Sequence, residues 1–274
     1  MIGIIGFGNM GSAIAQRIKA EYRVTVFDKD KAKTKSLQDI QSAASIADLV
    51  KNSETIILAV KPHDFEHVLR EIKNFALGKL IISIAAGIST KHIEGVLGNV
   101  RVIRAMPNLG AGIGESVTCL CRGKNASEED LDFAQQLIYY LGAIRQVPEK
   151  LMNAATAICG SGPAYVFDFI EANSLQADNL PQHAIEDLIK RLERAAEAVG
   201  FEDEDAGFLA FNTVNSSISL LKKTKLPAGE LKKQVASKGG TTEKALEVLK
   251  KGGSWEEAAL AALKRAEELS GGYL

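Results

Sequence analysis

Residues 2–11 read IGIIGFGNMG. A short apolar run meets glycines at positions 6, 8 and 11, and the helical pattern NMGSAIAQRIKAE follows at once. Strand, tight turn and helix in that order open a nucleotide-binding βαβ unit. Each glycine has its own steric reason. Gly6 permits the turn off the strand, Gly8 lets backbone approach a pyrophosphate, and Gly11 lets the helix lie close to the strand. The N–H groups of Asn9 and Met10, at the helix start, then face the phosphates. A glycine turn kept for packing alone has the same letters, so the flanking strand and helix are what select the dinucleotide reading.

Outward from this turn the pattern repeats. RVTVFD, ETIILAVK, KLIISIAA and VRVIRAM are apolar runs of strand length, with helical stretches such as HDFEHVLREIKNF and TKHIEGVLG between several of them. Buried strands alternating with helices predict right-handed βαβ units on a parallel sheet. ESVTCLC and AIRQVP extend that sheet around the helical SEEDLDFAQQLIYYLG. After Pro148 strand-like runs stop and every segment reads as helix, from NAATAI to WEEAALAALKRAEEL. The chain therefore divides into an α/β, Rossmann-type dinucleotide-binding domain (1–148) and an all-α domain (149–274). FLAFNTVNSSISLL has too little polar surface for a lone helix, which points to burial against a second subunit.

Asp28 ends the second strand, where an acid hydrogen-bonds the ribose 2′-hydroxyl of NAD. Lys29, Lys31 and Lys33 follow it and suit the 2′-phosphate of NADP instead. The two features point opposite ways. Three more strand ends should face the same crevice: Ala59, Val60, Lys61 and Pro62; Ala85 and Ala86; and Asn108 in MPNLG. Near the other end of the chain, ASKGGTTEKAL (236–246) places a glycine pair before a helix. Ser237, Lys238, Gly239, Gly240, Thr241 and Thr242 form an anion nest: uncovered glycine N–H groups, the positive helix end, hydroxyls and one ammonium.

Composition excludes several functions. The 274 residues carry a formal net charge of −1 with 46% apolar residues, which argues against a nucleic-acid or anionic-membrane surface. No apolar run is long enough to span a bilayer. The start reads as strand rather than signal peptide, and the three cysteines are too few for a disulfide framework; both predict a cytoplasmic protein. Cys119 and Cys121 share one strand face but lack a second ligand pair with zinc spacing, so no metal is expected.

The motifs IGIIGFGNMGSAIA, LAVKP, SIAAGIS, RAMPN, ATAICGSGPAYVFDFIEA and VASKGGTTEKALEVL together resemble the pyrroline-5-carboxylate reductase family, in order and over nearly the whole chain. The resemblance implies NAD(P)H-dependent reduction of 1-pyrroline-5-carboxylate to L-proline, with NADPH as cofactor and NADH as the alternative. It implies an all-helical dimerisation domain, assembly as a homodimer or a ring of dimers, the nest as the substrate-carboxylate site, and Thr242 as the catalytic hydrogen-bonding group near the ring nitrogen. With the nest in the helical domain, the active site is expected between one subunit's Rossmann domain and its partner's helices. This chain departs from the family pattern at Lys238, where Pro is usual, at Leu109 and Gly110 in MPNLG, and in a longer segment near 176–193. A 3-hydroxyacid dehydrogenase would need a catalytic lysine in the helical half, and no such context follows Gly160. Reduction of another cyclic imine acid, or a cofactor-sensing role, are the remaining alternatives.

Overall fold

The computed structural model describes residues 1–35 and 37–271. Its first half is β1 (Ile2–Ile5), α1 (Asn9–Ile18), β2 (Val24–Phe27), β3 (Gln41–Ser42), α2 (Ile46–Lys51), β4 (Thr55–Leu58), α3 (Pro62–Ile72), β5 (Leu80–Ser83), α4 (Thr90–Leu97), β6 (Arg101–Met106), β7 (Ser116–Arg122), α5 (Glu128–Tyr139) and β8 (Gly142–Gln146). These strands form one sheet of eight in the order β3-β2-β1-β4-β5-β6-β7-β8. The chain leaves β1 toward β2 and returns to β4 on β1's other side, creating the switch point at which open α/β sheets bind ligands. Strands β1, β4, β5 and β6 are buried on both faces, which is why they are rich in consecutive Ile, Leu and Val rather than alternating with polar residues; β6 is the exception in carrying the buried Arg104. A fully buried isoleucine such as Ile4 or Ile57 contributes about 1.5–3 kcal/mol relative to exposure.

Two details differ from a uniform parallel sheet. β7 runs antiparallel to β6, with Met106 opposite Cys119. The Pro107–Glu115 connection is shorter than the dozen or so residues a parallel crossover needs, so the chain turns back. β3 is only Gln41–Ser42, exposed and polar, and carries no apolar pattern to reveal it.

The second half is α6 (Met152–Ala155), a π turn at Thr156–Gly160, α7 (Gly162–Ala172), α8 (Gln182–Ala198), α9 (Asp203–Thr224), α10 (Ala228–Val235), α11 (Thr241–Lys250) and α12 (Trp255–Ser270). Its core joins Tyr165, Leu192, Leu209 and Trp255 to Met106, Val117 and Cys119 of the sheet. The helices thus pack onto the β6–β7 end of the sheet. The apolar surface of α9 is largely covered within the chain, by α7, α8 and β7, and Leu209, Val214 and Ile218 are buried without a second subunit. The segment near 176–193 supplies most of α8, which packs along both α9 and α12 and is no insertion of a whole helix. Phe211 is the large apolar residue of α9 left exposed among the described residues. Among the described residues, no helix is long and apolar enough to cross a membrane.

Candidate active site

The glycine turn has the geometry its spacing requires. Gly6 has φ +98, and a Cβ there would lie 2.6 Å from Ala59 O. A Cβ on Gly11 would lie 2.0 Å from Gly6 O, so α1 sits against the turn as only glycine allows. A Cβ on Gly8 would meet nothing within 4 Å. Gly8 therefore faces open space, which is room for a ligand rather than for the fold.

That space is a crevice of about 420 Å³. One wall holds Gly8, Asn9 and Met10, then Ala59, Val60, Lys61 and Pro62. Ala85, Ala86 and Asn108 continue it, and the opposite wall carries Ser237, Gly240, Thr241 and Thr242. Both halves of one chain build it. The expectation was that a partner's helices complete the site; here the start of α11 lines the same crevice as the dinucleotide turn of its own chain. Thr156 and Gly160 of the π turn lie between the walls.

The helices α1, α3 and α11 begin at this crevice, and none has a side-chain cap. Of the helices that start elsewhere, α2, α4, α5 and α12 are each capped by a serine, while α8, α9 and α10 have no side-chain cap. The positive ends of α1 and α11, with unspent first-turn N–H groups, suit a ligand with several anionic groups. Asn108 adds a buried donor: its Oδ1 accepts from Gly110 N at 3.0 Å, while its Nδ2 has no partner. An orphaned amide N–H on the crevice wall, the empty cradle at Gly8 and the uncapped α1 fit a nicotinamide dinucleotide. Lys61 is the one titratable side chain among the residues lining the crevice.

Not every residue of the sequence reading is on the wall. Asp28 is buried, and its carboxylate accepts from Phe7 N (2.7 Å), Asp30 N (2.8 Å) and Lys33 Nζ (3.4 Å). Burial pushes its carboxyl up, but these donors outweigh burial and hold it below the ordinary carboxylate range. Asp28 thus ties the glycine turn to β2, and Lys33 screens its charge. Lys29 turns to Asp64 at 2.8 Å.

The nest also differs from its sequence reading. Gly239, with φ +70, gives its N–H to Glu243 Oε2 at 2.6 Å, and Gly240 N donates to Ser237 O at 2.9 Å. The two glycine N–H groups are therefore spent on the turn, not left uncovered. Glu243 supplies an acceptor that the GGTT letters alone do not announce. What remains for an anion is the first turn of α11, at Thr241 and Thr242. Lys238 is exposed and off the wall, while Arg265 holds the loop through Gly239 O at 2.8 Å.

One residue was missed entirely. Ser161, between the glycines of GSGPAY, is fully buried and bonds both Thr241 and Thr242 at 3.0 Å. Its only sequence signal is a serine at a helix start. Tyr165 is core: its hydroxyl donates to Ala157 O at 3.0 Å, its ring meets Trp255 edge-on, and burial raises its pKa. Cys119, Cys121 and Cys159 are buried free thiols. Burial pushes Cys121 up to about 12, so it is no thiolate at neutral pH. Among the described residues, no group of three or more His, Cys, Asp or Glu is placed to hold a metal.

Comparison with known proteins finds a match for each half of the chain. Residues 1–87 match the family model "NADP oxidoreductase coenzyme F420-dependent". Residues 149–180 and 185–269 match "Pyrroline-5-carboxylate reductase dimerisation". The pyrroline-5-carboxylate reductase of Methanosarcina acetivorans is 36% identical over 281 residues, covering 98% of this chain and 97% of that one. That of Aquifex aeolicus is 33% identical, covering 92% and 89%. Among solved structures, the Plasmodium falciparum pyrroline carboxylate reductase with NADP bound superposes with a TM-score of 0.64 at 28% identity, covering 98% and 97%.

Proposed function

The chain belongs to the pyrroline-5-carboxylate reductase family, and from that premise we propose how its own residues carry the reaction. It is an NAD(P)H-dependent oxidoreductase that reduces 1-pyrroline-5-carboxylate to L-proline. The observation that carries this reading is the single crevice whose walls are a dinucleotide turn and an uncapped threonine-bearing helix start.

In our reading Gly8, Asn9 and Met10 hold the pyrophosphate at the α1 N-terminus, and Gly6 and Gly11 shape the turn. Ala59 to Pro62, Ala85 and Ala86 form the smooth floor under the nicotinamide half, with Asn108 Nδ2 donating to one of its polar groups. The reduced nicotinamide supplies the hydride. The substrate carboxylate sits at the first turn of α11, among Ser237, Gly240, Thr241 and Thr242, and Thr242 bonds the ring nitrogen. No strong acid stands in the crevice, so the protein acts by positioning rather than by proton donation. With both Asp28 oxygens engaged inside the chain, the lysines at 29, 31 and 33 favour NADPH over NADH. Lys238 and Gly239 serve as the loop's outer turn rather than as direct ligands.

We take Pro148–Glu149 as the domain boundary, since Pro148 precedes the turn Glu149–Leu151 and helices follow. We also take the enzyme to be cytoplasmic and to assemble through the helical domain as a homodimer, with a ring of dimers as the larger form.

The deciding experiment incubates purified protein with racemic pyrroline-5-carboxylate and either NADPH or NADH, following nicotinamide absorbance and proline. Proline formed with faster NADPH oxidation is expected. Binding of both cofactors without oxidation of either would overturn the reading. Thr242→Ala should lower turnover roughly 10- to 100-fold, the scale of one hydrogen bond to a charged group, while NADPH affinity holds. Unchanged turnover would remove Thr242 from its role.

A further inference from the structure

Ser161 stands at the start of α7, where a serine ordinarily caps the helix, yet it makes no cap bond. Its hydroxyl instead reaches across 80 and 81 positions of sequence to Thr241 and Thr242. The hydrogen bond on the Thr242 side runs from Thr242 Oγ1 to Ser161 Oγ. Ser161 is fully buried, and Thr241 Oγ1 is its only other polar side-chain contact among the described residues. Its own proton must therefore go to Thr241, because a buried unpaired donor is costly. The three hydroxyls form a directed chain, Thr242 to Ser161 to Thr241.

We infer that Ser161 is a positioning residue that fixes Thr242 as a hydrogen-bond acceptor and Thr241 as a donor, so that the site selects the protonated imine of its substrate. With its proton committed to Ser161, Thr242 presents only lone pairs to the crevice. It accepts from the N–H of an iminium and repels the lone pair of a neutral imine. Thr241, whose oxygen accepts from Ser161, keeps its own O–H to turn toward the carboxylate. The polarity of the chain thus matches a zwitterion, cation at Thr242 and anion at Thr241. The balance of the reaction agrees. Hydride adds to the ring carbon of C=N–H⁺, the π pair becomes the nitrogen lone pair, and no proton leaves the protein in that step.

The charged groups around the chain do not replace this device. Glu243 of α11 is held by Gly239 N, and Arg265 of α12 by Gly239 O. Asp168 and Glu171 of α7 are paired with Lys232 of α10. Arg104 of β6 faces Glu149 and Asn153, Cys159 of the π turn lies against Cys119, and Lys238 is exposed. Lys61 is on the far wall.

This inference rests on the proposed reaction, and one assay separates the two. kcat/KM for pyrroline-5-carboxylate is measured across the pH range in which the imine titrates, for the wild type, Ser161→Ala and Thr241→Val. If the wild type forms no proline, the reaction itself is wrong. With an active wild type, its kcat/KM should fall with the protonated fraction of the imine. Ser161→Ala should be about tenfold lower at acid pH, the scale of one hydrogen bond. Its deficit should shrink as pH rises, because the freed Thr242 hydroxyl can donate to the neutral imine. Thr241→Val should show the same flattening, since Ser161 then turns its proton on Thr242 and displaces that of Thr242 into the crevice. It gives the reading on its own if Ser161→Ala fails to fold. A ratio of wild type to variant that stays constant across pH would make Ser161 a packing residue and overturn the inference.

Discussion

Two alanine substitutions in the glycine turn should separate space kept for the ligand from space kept for the fold. A Cβ at Gly11 would lie 2.0 Å from Gly6 O and 3.2 Å from the Ala59 Cβ. Comfortable non-bonded contact is about 3.5 Å, so α1 must back away from the turn by more than ~1 Å. Overpacking of that kind costs roughly 1–3 kcal/mol of stability. It also moves the α1 N-terminus off the phosphates, and a shift of about 1 Å at a binding element can cost on the order of 100-fold in kcat/KM. Gly8→Ala is the converse. Its backbone, with φ −82, suits alanine, and its Cβ meets no protein atom within 4 Å. Gly8→Ala should lose no more than about 1 kcal/mol of stability, the cost of alanine at an N-cap, yet weaken NADPH binding by tenfold or more. Gly95→Ala, in α4 with open space around its Cβ, is the control and should gain up to ~1 kcal/mol without touching kinetics. Urea unfolding and NADPH titration on the three variants read both axes. Equal NADPH affinity for Gly8→Ala and wild type, or a Gly11→Ala variant as stable and active as wild type, would refute the reasoning.

Asp28→Asn should destabilise the protein by about 1.5–3 kcal/mol near neutral pH, the scale of hydrogen bonds to a charged group. Because the folded carboxyl lies below its ordinary value of 3.8, the wild-type advantage is full above that pH and is lost as pH falls through the folded value; an advantage that grew on acidification would contradict this. Arg104 is buried on β6, with its Nε unpaired, Glu149 at 3.9 Å and Asn153 at 3.3 Å, and burial lowers its pKa. Glu149→Ala removes the carboxylate beside that cation and the acceptor of Thr90 N and Oγ1, and should cost about 1–3 kcal/mol, with Arg104→Met in the same chain recovering only the part due to the cation in chemical denaturation. Replacing Lys31 and Lys33 together by alanine should raise KM for NADPH about tenfold, one or two lost charge contacts, and leave KM for NADH nearly unchanged; equal effects on both would remove the lysines from cofactor choice.

Much of the fold was legible because its information is local. The run IGII and the glycines at 6, 8 and 11 each act within one turn of their own position. The central strands of the parallel sheet are mostly apolar because both of their faces are covered, so their length and composition announce them. The helical second half was equally plain from its periodicity. β3 and the reversal at β7 were not legible, one having no apolar pattern and the other depending on how short a connection is in space.

The site divides in the same way. Sequence alone determined that Gly8 needs room and that GGTT begins a helix with spare N–H groups, since both follow from backbone sterics and helix ends. Only tertiary structure decided which donors stay free. Asp28 is claimed by Phe7 N and Lys33, Gly239 N by Glu243, and the hydroxyls of Thr241 and Thr242 by a serine some 80 positions away. It also decided that both walls of the crevice come from one chain. Hydrogen-bond partners over such separations depend on the path of the whole backbone, and no window of sequence contains that path.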